Sequence, residues 1–74
     1  MYIIEFEEGV YATKGVGDPA RTLKIENAVR YSYKTLAKKE LTKTINRIAK
    51  FRAFTNPQVK WVDEVTQTIS QKNL

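Results

Sequence analysis

Between about Tyr33 and Phe51 the apolar residues Ala37, Leu41, Ile45, Ile48 and Ala49 recur at the i, i+3, i+4, i+7 spacing. That spacing predicts an amphipathic helix with one face in a core, because side chains three and four apart stack along one side of an α-helix. The opposite side is also ordered. At 100° per residue, Lys39, Lys43, Arg47 and Lys50 project within an arc of about 80°, with Asn46 at its border, and they extend over about 16 Å of helix at 1.5 Å rise per residue. Whatever this chain folds into must seat one side of that helix and leave a basic side in water.

The rest of the chain limits what can seat it. Seventy-four residues make one domain, since a chain this short buries only about 60% of its unfolded surface. Tyr2, Ile4 and Phe6 alternate with Ile3, Glu5 and Glu7, which is the period-2 pattern of a strand with one buried face; Glu5 and Glu7 are then expected in solvent. Glu8-Gly9 reads as a tight turn into a second antiparallel strand through Val10, Tyr11, Ala12 and Thr13. A two-residue loop pairs Phe6 with Tyr11 and Ile4 with Thr13, whereas a bulge at Gly9 turns Val10 and Ala12 to the core. Both registers stand.

Gly15 to Pro19 is a loop by composition. Ala28 to Tyr33 reads equally as a helical turn or an extended segment, with Ser32 or Thr35 available to cap the helix. Asn56-Pro57 is expected to stop the helix, because proline removes an N–H and restricts the residue before it. Residues 57–70 then read as a strand with Val59 and Trp61 on one face, the preferred reading, or as a helix capped by Asn56-Pro57. Trp61 is expected to anchor the core, and residues 66–74 to form a flexible tail. The expected fold is α+β: an N-terminal β-hairpin joined by a C-terminal strand into a small antiparallel sheet, packed by one amphipathic helix, all within residues 1–65.

Charge separates along the chain. From Arg30 to Lys60 there are nine Lys or Arg residues and one acid, Glu40, which carries most of the net +5. With no cysteine or histidine, zinc sites and Cys or Ser-His nucleophiles are excluded. Gly15-Val16-Gly17 lacks the strand, third glycine and lysine of a phosphate loop, and Glu5, Glu7 and Glu8 lack the convergence that acid-base or metal chemistry needs. Catalytic, cofactor and metal sites are therefore not expected. Binding is. The candidate contact is the face of Lys39, Lys43, Asn46, Arg47 and Lys50, supplemented by aromatics among Tyr31, Tyr33, Phe51 and Phe54, beyond what one small core needs.

An acidic surface on another protein suits such a face. A nucleic acid also suits it, although the chain has no helix-turn-helix pair, ribonucleoprotein aromatic motif or KH-type loop. A sheet covered on one side only, with open edges, also predicts a homodimer. The N-terminus has neither a basic start nor an apolar run, so no membrane partner is expected and the cytoplasm is the expected compartment.

The layout of Ile3-Ile4-Glu5-Phe6, Gly9-Val10-Tyr11, Ile25, Ala28, Tyr31, Ala37 and Val59-Lys60-Trp61-Val62 resembles that of short phage and prophage open reading frames of Gram-positive bacteria. The resemblance covers about residues 1–65. It implies a ββαβ-type module with no catalytic residues, located in the host cytoplasm. It further implies action by binding, often to a host replication, transcription or defence protein.

Overall fold

The computed structural model describes residues 1–17 and 19–69. Strand β1 (Tyr2–Glu7) and strand β2 (Val10–Ala12) form the N-terminal hairpin, followed by a short strand β3 (Arg21–Thr22) and a 3₁₀ turn (Ile25–Asn27). Helix α1 (Lys34–Ile48) leads to β4 (Gln58–Asp63) and β5 (Thr68–Ile69). The strands make a sheet in the order β3-β2-β1-β4-β5, with every neighbouring pair antiparallel. The α+β class and the helix-on-sheet arrangement are as the sequence predicts, and the segment after Pro57 is the strand. Val59 stands beside Ile4 and Trp61 beside Tyr2 across the β1–β4 ladder.

The hairpin combines the two anticipated registers, a two-residue loop with a bulge that turns Ala12 to the core, but with other pairs and the bulge elsewhere. Its loop is the two-residue Glu8-Gly9 turn, with Gly9 at φ +77°, where a Cβ would strain the backbone. Pairing runs Glu7 with Val10 and then Glu5 with Tyr11, so the extra residue is Phe6, on β1, and not Gly9. The bulge sends Ala12 to the helix side of the sheet and Tyr11 to the other side.

That other side is the main departure from expectation. Ile4, Phe6, Ala37, Ile48 and Phe54 form the core beneath α1, bordered by Tyr2, Ala12, Tyr31, Leu41, Ile45 and Val59. A second apolar cluster of Ile3, Ala28 and Val62, edged by Met1, Tyr11, Ile25 and Ile69, covers the reverse face. Ile3, Ile4, Glu5 and Phe6 are therefore all buried, as in a strand covered on two sides. An uncovered sheet face, the sequence ground for a homodimer, is not what the described residues show.

Before α1 the extended alternative holds, whereas the helix cap and the end of α1 differ from the reading. Ala28 and Tyr33 are extended, and Tyr31 exchanges backbone N–H···O bonds of 2.8 Å with Tyr2, so this segment runs beside β1. The cap position is Tyr33, with no side-chain bond, in place of Ser32 or Thr35. The helix stops at Ile48, well before Asn56-Pro57. The amides of Phe51 and Arg52 both donate to the Ile48 carbonyl, at 3.0 and 2.9 Å, and turn the chain so that Phe54 reaches Phe6. Residues 66–69, expected in the tail, form the end of a turn and β5, and the rest of that tail, 70–74, lies outside the described residues. Among the described residues no helix is long and apolar enough to cross a membrane.

Candidate interaction surface

Because Ala37, Leu41, Ile45 and Ile48 turn inward, the 3.6-residue period turns Lys39, Lys43, Asn46 and Arg47 outward, and all four are exposed. Lys50, just past the helix, continues the row. The structure thus brings together all five residues of the predicted basic face. Among the described residues a carboxylate moderates it at Lys43: Glu40 lies 3.5 Å from the Lys43 ammonium, one turn away on the helix surface. Such an exposed pair contributes little to stability and leaves the field of the face positive. Arg47 also borders a hollow between α1 and the loop, where Tyr31, Glu40, Thr44, Gly15, Gly17 and Pro19 meet it.

The aromatic candidates divide. Tyr33 and Phe51, at the two ends of α1, are 69% and 64% exposed, far more than a core role allows. Tyr31 is half-buried along the rim of the main core. Phe54 is buried, stacked on Phe6 with centroids 4.7 Å apart and planes 15° apart, so it is a core residue first. Trp61 is only half-buried, its ring set edge-on to Tyr2 at 5.2 Å, and is not the core anchor that its size suggested. It lies on a strand whose fully buried residue is Val62.

Some residues of the surface were missed. Leu36, 48% exposed, lies at about 60° on the wheel, inside the basic arc, and the same 100° arithmetic locates it. Two cations counted with the positive segment serve the interior instead. Arg30 donates from Nη1 to the carbonyls of Ile25 and Ala28 at 2.9 and 3.0 Å, from Nε to Glu64 at 3.2 Å, and from Nη2 to Gln67. It ties the 3₁₀ turn to the β4–β5 connection.

Lys60 reaches Glu5 across the reverse face at 2.8 Å. Glu5, expected in solvent, is 7% exposed: it pairs with Tyr11 at the edge of the second apolar cluster and sits at the floor of a polar hollow lined also by Glu7, Glu8, Thr55, Gln58 and Lys60. Burying it requires a partner, and Lys60 supplies one while the Gly9 amide points at the other oxygen, 3.4 Å away. Glu7 is exposed as expected, and Glu8 in the turn is exposed too.

No known protein family, curated protein or solved structure matches this chain. The functional reading accordingly rests on the geometry of these surfaces.

Two phenols give the fold a pH dependence. Burial, followed by the negative charge of Glu5, pushes the Tyr11 hydroxyl above its ordinary pKa, with Lys60 opposing; burial and then Glu40 push Tyr31 the same way. A tyrosine whose pKa is higher folded than unfolded holds its proton more tightly in the native state. Its contribution is complete below the unfolded value of about 10 and is lost as pH rises through the folded value. Thermal melts are expected to be flat in this respect from pH 7 to 9 and to fall above about pH 10, with Tyr11→Phe and Tyr31→Phe each reducing the fall. An unchanged alkaline slope in both variants would refute the assignment.

Proposed function

We propose that this chain is a small non-enzymatic binding module that docks through the outer face of α1 on an acidic surface of another protein. In line with the phage-type layout, it acts in the cytoplasm as an accessory protein on a host or phage partner. The observation that carries the reading is the company the cations keep: Lys39, Lys43, Arg47 and Lys50, with the neutral Asn46 among them, are exposed on one side, and Tyr33, Leu36 and Phe51 are exposed as well. Large apolar side chains set among cations supply what a protein contact uses, a desolvated anchor surrounded by charges that steer encounter.

A nucleic-acid partner is the second reading, favoured by the straight row of cations along α1. Four phosphate contacts would give a log-log salt slope of about −3 to −4, a loss of roughly a hundredfold between 50 and 200 mM salt.

The test is capture from nuclease-treated Gram-positive lysate, followed by binding kinetics with the captured protein. The triple variant Lys39→Glu, Lys43→Glu, Lys50→Glu should stay folded, since none of these side chains is buried, and should slow association by about tenfold or more. Phe51→Ala should chiefly speed dissociation. A captured partner indifferent to both, or an interaction that nuclease abolishes, would overturn the reading.

A further inference from the structure

At the C-terminal end of α1 the basic row runs out beside a groove of about 250 Å³, lined by Glu7, Val10, Thr22, Leu23, Phe54 and the two arginines Arg21 and Arg52. We propose that this groove receives an apolar side chain from an acidic segment of the partner protein. The inference rests on the acidic-partner reading and assigns that partner its anchor.

Several features converge on this occupant. The volume lies below the roughly 300–1,000 Å³ of pockets that enclose a whole small ligand, so it suits a single side chain. Its walls include Val10, the remaining exposed edge of Phe54, and Leu23, which is 78% exposed. An anion alone has no use for such walls. The rim brings two guanidiniums against one carboxylate, Glu7, and a neutral apolar ligand has no use for those. An apolar residue flanked by carboxylates satisfies both.

Arg21 gives one N–H to the Pro19 carbonyl at 2.8 Å, which fixes its head while leaving others of its five donors without a partner among the described residues. Arg52 lies over the Phe54 ring, 5.1 Å from the centroid, and makes no ion pair among the described residues. It is thus placed and unneutralised, as a fork for a carboxylate should be. Because Arg52 occupies that ring face, Phe54 is not free to stack a nucleic-acid base, which favours a peptide here. Lys50 and Phe51 join the groove to the row on α1, so one acidic segment can engage both.

The probe is a fluorescein-labelled peptide of aspartates and glutamates with one central leucine, with a control carrying serine in its place, titrated into the full isotope-labelled chain. The leucine peptide is expected to bind at least about tenfold more tightly, the cost of removing a modest anchor. It should shift the amides of Val10, Thr22, Leu23, Arg52 and Phe54. Leu23→Asp with Arg52→Ser, both exposed positions, should abolish that preference in a chain that stays folded, the melt falling only by the small loss of the Arg52–Phe54 contact, and Glu7→Gln should tighten binding a few-fold. Equal affinity for the two peptides, with shifts confined to Lys39, Lys43 and Lys50, would overturn the groove and leave the acidic-partner reading standing. Failure of the leucine peptide to bind at millimolar concentration would overturn the groove as well. If neither peptide binds and a single-stranded oligonucleotide shifts α1, both readings fall.

Discussion

Replacing Lys60 by methionine is expected to cost about 3 kcal/mol, because it leaves the buried Glu5 carboxylate without its counter-ion and beside Glu7 and Glu8. The lower end of the range for breaking a buried pair applies, since the Lys60 side chain retains 22% exposure. For a chain of this length, total stability is about 4–11 kcal/mol at roughly 0.05–0.15 kcal/mol per residue, so this one change removes a large share. The double variant Glu5→Leu, Lys60→Met should recover most of it, because two apolar groups of similar size replace a pair whose desolvation offsets its attraction. Urea denaturation of the two single variants and the double variant measures this. Single variants within about 0.5 kcal/mol of the parent would show that the pair is solvated, contrary to its burial.

The Glu5–Lys60 pair also shows where sequence reasoning stops. The alternation of β1 was legible, but its second face was read as wet because that face carries Glu5. The residues that cover it, Ile25, Ala28 and Ile69, come from polar stretches with no periodicity of their own. Strands β3 and β5 are two residues each, too short to show a period of two, and exist only because β2 and β4 offer them an edge. The bulge at Phe6 and the helix stop at Ile48 likewise lack a local signal, since both serve the meeting of Phe6 with Phe54 across the core.

The basic face was legible for the opposite reason. Which side chains share a helix face depends on spacing alone, so Lys39, Lys43, Asn46, Arg47 and Lys50 were found from the chain. Which cations would be drawn inward was not, because the partners of Arg30 and Lys60 are distant in sequence. The groove beside Arg52 is assembled from β1, β2, β3 and the segment after α1, and no linear pattern announces it.

Phe6→Ala is expected to be the most damaging single substitution in the molecule, and its contrast with Trp61→Ala tests where the core is anchored. Phe6 is 1% exposed and stacked on Phe54, so truncation loses the transfer free energy of the ring, leaves a cavity beneath α1 and breaks the aromatic pair. That sums to about 3–5 kcal/mol, enough to unfold a domain of this size at or near room temperature. Trp61 is the larger ring, but it is only partly buried, belongs to neither apolar cluster, and its described aromatic contact is the edge-on one with Tyr2. Trp61→Ala should therefore cost about 2–3 kcal/mol, below the cost at Phe6 because Trp61 keeps part of its area in water and leaves no enclosed cavity. Because Phe6→Ala is expected to be poorly folded, Phe6→Leu supplies the measurable case, keeping most of the apolar volume while removing the stack, at about 1–2 kcal/mol. Far-ultraviolet circular dichroism melts of the three variants rank them. Tryptophan emission from the parent, which carries Trp61 alone, should show partial quenching by iodide. A fully shielded Trp61 together with a larger loss from Trp61→Ala than from Phe6→Ala would place the anchor on β4 and refute the packing described.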